Sequence, residues 1–196
     1  MKTKFVSLMA VLALAAPAVE AETFNFDANH ASVMFQIRHL MSKVTGKFNA
    51  FEGAVQIDRD DPAGSSVAFT IETESIDTAN ERRDGHLKSP DFFDVASHPT
   101  ITFESTSVKP LGDDAFEVTG SLTMRGVTKT VVLPVEVLGE MKDRRGNQRI
   151  GFEISTTLNR KDYGISYNQV LDQGGLLLGE DVTITINLEA VQAKAE

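Results

Sequence analysis

Apolar and polar side chains alternate through most of this 196-residue chain, and this period of two constrains the fold more than any other feature. In residues 32–38, for example, Phe35 and Ile37 alternate with Gln36 and Arg38. Such a period is typical of a half-buried β-strand. Nine segments fit it: residues 23–27, 32–38, 48–57, 66–76, 100–108, 116–124, 130–138, 149–158 and 181–190.

Nine short segments without sustained helical periodicity predict an all-β fold of antiparallel strands. Strands with one apolar face each can close as a barrel or stack as a sandwich, and alternation alone does not distinguish the two. A barrel of about eight strands is wide enough to be filled by side chains or to hold one small ligand. Twelve phenylalanines and no tryptophan fit both a packed interior and an apolar tunnel. Pro134 predicts a sheet edge or a bulge, because proline has no backbone N–H to donate.

Residues 77–99 interrupt the strand pattern and gather two arginines, five acids and two of the four histidines beside a pair of phenylalanines. The nearest approach to helical periodicity lies in residues 78–87. Ser89 followed by Pro90 predicts a further short helix that begins there. Because binding groups are often carried by a loop on a rigid scaffold, we expect the working surface near this insertion.

Within the insertion, Arg83, Asp84 and His86 would bring a guanidinium, a carboxylate and an imidazole together beside Leu87. Arginine is suited to bidentate contact with phosphate or carboxylate, and apolar neighbours strengthen such a contact by excluding water. Alternatively, Arg83 and Asp84 pair with strand residues and pin the insertion to the scaffold. The two roles are compatible.

Signatures of catalysis and metal binding are missing from the sequence. It has no Gly-x-Ser-x-Gly nucleophile motif, no phosphate-cradling glycine loop and no dinucleotide fingerprint. The four histidines lack the short, regular spacing of metal ligands. With no cysteine, the chain has no disulfide, no thiol nucleophile and no covalent haem site. We therefore expect no metal and no cofactor.

The N-terminal residues 1–21 have the pattern of a cleaved secretory signal peptide. Lys2 and Lys4 precede an apolar run over residues 5–16, and small residues follow at the cleavage site. The run is shorter than the roughly 20 residues of a membrane-spanning helix, although an uncleaved anchor is the alternative. Residues 22–196 then form one exported, periplasmic domain without stable membrane insertion.

The charge of that domain excludes one class of partner. Without the signal peptide, 17 basic and 27 acidic side chains remain, a balance of −10. Binding to phosphate backbones requires a basic footprint, so we expect no nucleic-acid partner.

Five groups of residues, in this order along the chain, resemble the YceI-like family of exported, lipocalin-like proteins described as polyisoprenoid-binding. They are HASVMF at residues 30–35 with His39, GKFNAFEG at 46–53, RDGHLKSPDFFD at 83–94 continued by HPTITFES at 98–105, GSLTMRGVTK at 120–129, and NRKDYGI at 159–165. Ala31 departs from the pattern, since the family usually has serine there. The resemblance spans residues 24–190.

The resemblance implies an antiparallel, lipocalin-like barrel of about eight strands with one short helical insertion near residues 77–99. It also implies an apolar tunnel for a long isoprenoid lipid, such as a polyprenyl pyrophosphate or an isoprenoid quinone, and a homodimer. The head group would meet Asn80, Arg83 and His86, with Asp84 orienting Arg83. The side chains expected to line the tunnel are Phe35, Ile37, Phe51, Phe69, Leu87, Phe92, Phe93 and Phe103.

We therefore expect a periplasmic binding or carrier protein rather than an enzyme. Two alternatives remain at this stage. One is an enzyme that acts on a small amphipathic substrate at the Arg83, Asp84 and His86 cluster. The other is a β-sandwich interaction module with a solid core, because inward phenylalanines can fill a core as well as line a tunnel.

Overall fold

The computed structural model describes residues 21–170 and 176–194, which form a closed antiparallel barrel with one α-helix. The predicted signal peptide and the turn predicted at residues 173–175 lie outside the described residues, except for Ala21. The elements are β1 (Glu22–Phe26), β2 (Ser32–His39), β3 (Ser42–Phe48), β4 (Phe51–Ile57), β5 (Ser66–Glu72), β6 (Ile76–Asp77), α1 (Glu81–Lys88), β7 (Thr100–Pro110), β8 (Ala115–Met124), β9 (Val127–Lys142), β10 (Gln148–Asn159) and β11 (Leu178–Gln192).

The barrel has eight strand positions around its circumference, and each position is called a wall. Three neighbouring walls each consist of two short strands in line. Along β11, Phe26 of β1 pairs with Ala190, and Ser32 of β2 pairs with Asn187. Strands β4 and β3 lie beside β1 and β2, and β5 and β6 lie beside β4 and β3. The other five walls are the single strands β7 to β11. The closed barrel confirms the predicted fold class.

The interruptions correct the sequence-based strand boundaries. Phe48 is buried and Phe51 packs against the same core, yet an unbroken strand places residues three apart on opposite faces. The two irregular residues between them shift the alternation and return Phe51 to the interior. The prediction of single strands over residues 48–57 and 66–76 is wrong for this reason, and most of β3 was not predicted. Pro134 does lie at a local edge, since β9 pairs with β10 only from Val135 onward.

The helix α1 lies beside β6, at one end of the barrel. Asn80 is its N-cap, and the Asn80 side chain accepts a hydrogen bond from the Arg83 N–H at 3.0 Å. The helix predicted to begin at Ser89 and Pro90 is wrong. Ser89 is instead the C-cap of α1, and its hydroxyl donates to the His86 carbonyl at 2.8 Å. Within the described residues, α1 included, no helix is both long and apolar enough to cross a membrane.

Two glycines let phenylalanine rings lie flat against the inner wall. A Cβ atom built on Gly46 would be 2.3 Å from Cζ of Phe35, its neighbour across β2 and β3. On Gly53 it would be 2.6 Å from Cε2 of Phe26. Both contacts are far too short for a real side chain, so glycine is required for this close approach.

Candidate functional site

The barrel encloses two apolar chambers. The α1-end chamber has a volume of about 560 Å³, and the far-end chamber, on the side of the β4–β5 and β7–β8 turns, has about 390 Å³. Both volumes lie in the range of small-molecule sites, roughly 300–1,000 Å³. The sequence analysis kept a solid core as an alternative, and the two chambers contradict it. Among the described residues, seven side chains line both chambers and mark the partition, the level at which the chambers meet: Val33, Phe69, Ile71, Phe103, Leu133, Ile154 and Ile186.

Two stacked aromatic rings lie within the partition. Phe69 of β5 and Phe103 of β7 are directly paired across the sheet, with ring centroids 5.2 Å apart and planes inclined by 17°. Phe103 is 1% exposed. The partition is thus purely apolar.

All eight side chains predicted to line a tunnel lie on the chamber walls. Phe51 lines the far-end chamber, and Phe69 and Phe103 line both. The α1-end chamber is lined by the other five, Phe35, Ile37, Leu87, Phe92 and Phe93. Their contact with a ligand stays a prediction.

Arg83 and Asp84 meet at Thr78 rather than at each other. The Thr78 hydroxyl donates to Oδ1 of Asp84 at 2.5 Å and accepts from Nε of Arg83 at 2.7 Å. Nη2 of Arg83 donates to the Thr78 carbonyl at 2.7 Å, and the Thr78 N–H donates to Asp84 Oδ1 at 2.9 Å. The pair therefore pins α1 to the end of β6, and Asp84 orients Arg83 through the hydroxyl they share.

The other predicted head-group residues border the α1-end chamber. Asn80, Arg83 and His86 line it, whereas Asp84 is not among its lining residues. Nε2 of His86 is 2.9 Å from Oδ2 of Asp91, and the His86 ring meets Phe92 and Tyr167 edge-on at 4.9 and 4.8 Å. Asn80, Arg83 and His86 thus lie at one chamber, near the insertion, as predicted. Their contact with a head group stays a prediction.

Arg160 also lines the α1-end chamber, and the sequence reasoning missed it. It is 5% exposed and begins a 3-10 turn that ends at Tyr163, which is 2% exposed. Burial lowers the pKa of the Arg160 guanidinium and raises the pKa of the Tyr163 hydroxyl. The available signal was an arginine at the end of an apolar strand, inside one of the sequence groups that carry the family resemblance.

A second arginine connects this turn to the insertion. Arg125 donates from Nη1 to the Gly164 carbonyl at 2.8 Å and from Nη2 to the Pro90 carbonyl at 2.7 Å. Gly164 ends the 3-10 turn with a φ of 73°, a left-handed conformation that favours glycine. The residues around Arg160 are therefore fixed to the segment that follows α1.

The charged groups around the two chambers have opposite signs. Among the described residues, the lining of the α1-end chamber includes Arg82, Arg83 and Arg160 but no carboxylate. The lining of the far-end chamber includes one arginine, Arg59, and four acids, Asp58, Asp113, Asp114 and Glu140.

Arg59 is fully engaged by acids at the far-end mouth. Nη1 and Nη2 each donate to one carboxylate oxygen of Glu140 at 3.0 Å, and Nε donates to Glu22 at 3.0 Å. This bidentate pairing lowers the pKa of Glu140. The α1 end is thus the mouth suited to an anion.

Asp27, His30 and Glu189 also lie close together, near the interruption between β1 and β2. Nη1 of Arg149 is 2.8 Å from Asp27 Oδ2 and 3.0 Å from Glu189 Oε2. The hydrogen bond from Arg149 to Asp27, together with the one between His30 and Asp27, lowers the pKa of Asp27 to about 2. The Arg149 guanidinium bridges the two carboxylates, so the cluster is an ion-pair network.

A closed antiparallel barrel with an apolar interior places this chain among the lipocalin-like proteins. The YceI-like domain model matches residues 24–190, and the chain belongs to that family. A UPF0312 protein of Pectobacterium atrosepticum is 40% identical to it over 99% of this chain and 100% of the relative.

Solved structures share the fold. Burkholderia cenocepacia BcnA superposes with a TM-score of 0.74 at 24% identity, covering 84% of this chain and 98% of that protein. A polyisoprenoid binding domain from Saccharophagus degradans superposes with a TM-score of 0.64 at 18% identity, covering 87% and 98%. At these identities the likeness concerns the fold alone.

Proposed function

We propose that this protein is a periplasmic carrier that holds a long isoprenoid lipid in the apolar interior of its barrel. The observation that carries the proposal is the α1-end chamber, which combines about 560 Å³ of apolar space with a basic mouth. The name of the Saccharophagus degradans domain of similar fold supports the choice of ligand class.

The apolar lining accounts for affinity without a catalytic site. Burial of each methylene group contributes about 0.8 kcal/mol, so ten buried carbons contribute roughly 8 kcal/mol before the costs of association. Branched isoprenoid methyls suit a wall of aromatic and β-branched side chains. Binding is therefore driven by the tail, and the head group adds selectivity.

The polar end of the ligand lies at the α1 end in this proposal. Asn80, Arg83 and His86 are donors or acceptors at that mouth, and carboxylates at the far end would repel a pyrophosphate. A quinone head group, which is a neutral acceptor, would accept hydrogen bonds from the same donors. Because Arg83 and Asp84 are bonded to Thr78, we infer binding without turnover, and the ligand should be recovered chemically unchanged.

Mass spectrometry of lipid extracted from the purified protein tests the proposal. We expect masses that differ by whole isoprene units, and the emptied protein should take up the extracted lipid again without changing its mass. Protein that yields no lipid and retains no added isoprenoid would contradict the carrier function. A ligand recovered with altered mass would support an enzyme.

Export is a separate part of the proposal. We infer that residues 1–21 are removed and that the mature protein works in the periplasm, as a homodimer. N-terminal sequencing of the exported fraction should begin near Glu22, and light scattering should give twice the mass of the chain. An intact Met1 on membrane-bound protein would contradict the export proposal.

A further inference from the structure

Arg160 is held in the barrel wall by backbone carbonyls. Its Nε donates to the Gly179 carbonyl at 2.9 Å, and its Nη1 donates to the Ile165 carbonyl at 2.7 Å. The two carbonyls come from segments on either side of the 166–177 connection. The guanidinium is therefore fixed in position before any ligand arrives.

The third nitrogen of this guanidinium has no partner among the residues that the structure describes. Nη2 is buried, and nothing among residues 21–170 and 176–194 accepts a hydrogen bond from it. Buried polar groups are paired in the great majority of cases, so an unpaired one requires an explanation. Arg160 lines the α1-end chamber, and a bound molecule that displaced the groups covering Nη2 could supply the missing acceptor.

Within residues 21–170 and 176–194, no carboxylate forms a direct ion pair with Arg160 either. Glu180, the acid whose charge acts on it, is bonded to Lys161 instead. A guanidinium stays protonated in proteins, and a buried charge without a counter-charge is unfavourable. A neutral acceptor would complete the hydrogen bonds, but only an anion would also balance the charge.

We propose that Arg160 is an internal anchor for an anionic oxygen group, a phosphate or a carboxylate, at the end of the ligand's apolar tail. The inference rests on the proposed function in that it names the polar chemistry of the same chamber. It adds a contact that the proposed function does not contain: besides the donors at the exposed mouth, the anion contacts Nη2 of Arg160 within the chamber wall. Phosphate and carboxylate share the chemistry that matters here, oxygen acceptors with negative charge.

Two pairs of ligands with matched tails test this anchor: geranylgeranyl phosphate against geranylgeraniol, and oleate against oleyl alcohol. The measured quantity is the ratio of affinities within a pair, from calorimetric titration of the emptied protein. For the unaltered protein we expect a preference of about tenfold to a hundredfold for the anion, the size of a hydrogen bond to a charged group. A ratio near one in both pairs overturns the proposal without any variant.

The variant Arg160→Gln should reduce the preference to less than about threefold. Arg125→Gln is its matched control, because Arg125 also donates to two backbone carbonyls but does not line the chamber. General loss of structure lowers the affinity of both ligands in a pair and leaves the ratio unchanged. If Arg160→Gln does not fold, Arg160→Lys, which keeps the charge and loses the fork of donors, should give a ratio below that of the unaltered protein.

The two ligand pairs separate this inference from the proposed function. Arg160-dependent preference for oleate, with no binding of either isoprenoid, supports the anchor and contradicts the isoprenoid carrier. Isoprenoid binding with a ratio that Arg160→Gln leaves unchanged contradicts the anchor and keeps the carrier. A preference abolished equally by Arg125→Gln also contradicts it, because the effect would then be structural.

Discussion

Arginine side chains at the two ends of the barrel have different partners. Arg83, Arg125 and Arg160, at the α1 end, donate to backbone carbonyls. At the far end, Arg59 and Arg149 bind carboxylates. A backbone carbonyl satisfies the hydrogen bond of the guanidinium but leaves its positive charge uncompensated. A carboxylate satisfies the hydrogen bond and also compensates the charge.

The consequence is a positive α1 end on a protein whose net charge is −9. Net charge governs the field at long range, but the groups that line a mouth govern which head group can enter it. The far-end chamber is as apolar inside as its neighbour, so selectivity between the two ends depends on charge rather than on hydrophobicity.

The largest effect is expected at the partition, which both chambers share. Phe69→Asp should abolish isoprenoid uptake at either end, because a buried, unpaired carboxylate costs several kcal/mol. Phe69→Leu is the control that keeps an apolar side chain. Retention of a fluorescent isoprenoid, measured together with thermal unfolding, checks the result. A folded Phe69→Asp protein that still retains the lipid would show that the partition does not limit access.

Glycine substitutions should affect the two chambers to different degrees. Gly46→Ala forces Phe35 into the α1-end chamber, whereas Gly53→Ala forces Phe26 into the far-end chamber and also presses on Phe69, which lines both. Each should lower the free energy of unfolding by about 1–3 kcal/mol, the usual cost of overpacking. Gly46→Ala should weaken binding of geranylgeranyl phosphate more than Gly53→Ala does, measured by calorimetric titration. Equal weakening by both variants would mean that even this short tail extends through the partition.

Acid should weaken the ion-pair network near the far end. Asp27 has a pKa of about 2, lowered by the hydrogen bond from Arg149, so its stabilising contribution is complete above the usual value of 3.8. The contribution is lost as the pH falls from 3.8 towards 2, and it amounts to about 1 kcal/mol for a partly exposed pair. Urea unfolding at pH 6 and pH 2.5 should show this extra loss in the unaltered protein but not in Asp27→Asn. A difference between the two proteins that is the same at both pH values would contradict the assignment.

The smallest effect is expected at the far-end mouth. Arg59→Gln removes the pairing with Glu22 and Glu140, which is open to solvent, and should cost less than about 1 kcal/mol in urea unfolding. Raised salt should reduce the difference further. The affinity of the α1-end chamber for geranylgeranyl phosphate should not change. A loss of affinity as large as that of Arg160→Gln would show that the two mouths are electrostatically coupled.

Much of the fold could be predicted from alternation, because a half-buried strand imposes a period of two on the sequence. The changes of phase were visible as well. Inward residues have even numbers through Phe26, odd numbers from Val33, even numbers at Phe48 and odd numbers from Phe51. The first and last changes each mark an interruption of a wall, and the middle one is the hairpin turn between β2 and β3. An interpretation as one continuous strand overlooks the interruptions. The helical insertion was predicted correctly, whereas the further helix at Ser89 was wrong because Ser89 and Pro90 fit a helix start as well as a helix end.

The site was predictable where it depends on strand faces and not where it depends on contacts between distant segments. Phe35, Phe69 and Phe103 follow from alternation alone. The burial of Arg160 depends on Gly179, which comes from β11. The acidic far-end mouth is formed by turns that are distant in the sequence, and each of them resembles an ordinary solvated turn by itself.

The closure of the barrel has a consequence for the order of folding. Strands β7 to β10 pair with their neighbours in sequence through short turns, so their hairpins can form at a small entropic cost, whereas the longer 160–177 segment joins β10 to β11. Strands β1 and β2 pair with β11, the last strand, and the barrel cannot close until residues 178–192 are present. Under the proposed export, in which the chain crosses a membrane before it folds, this delay has no cost. A chain truncated before β11 would instead keep open sheet edges, which are templates for aggregation.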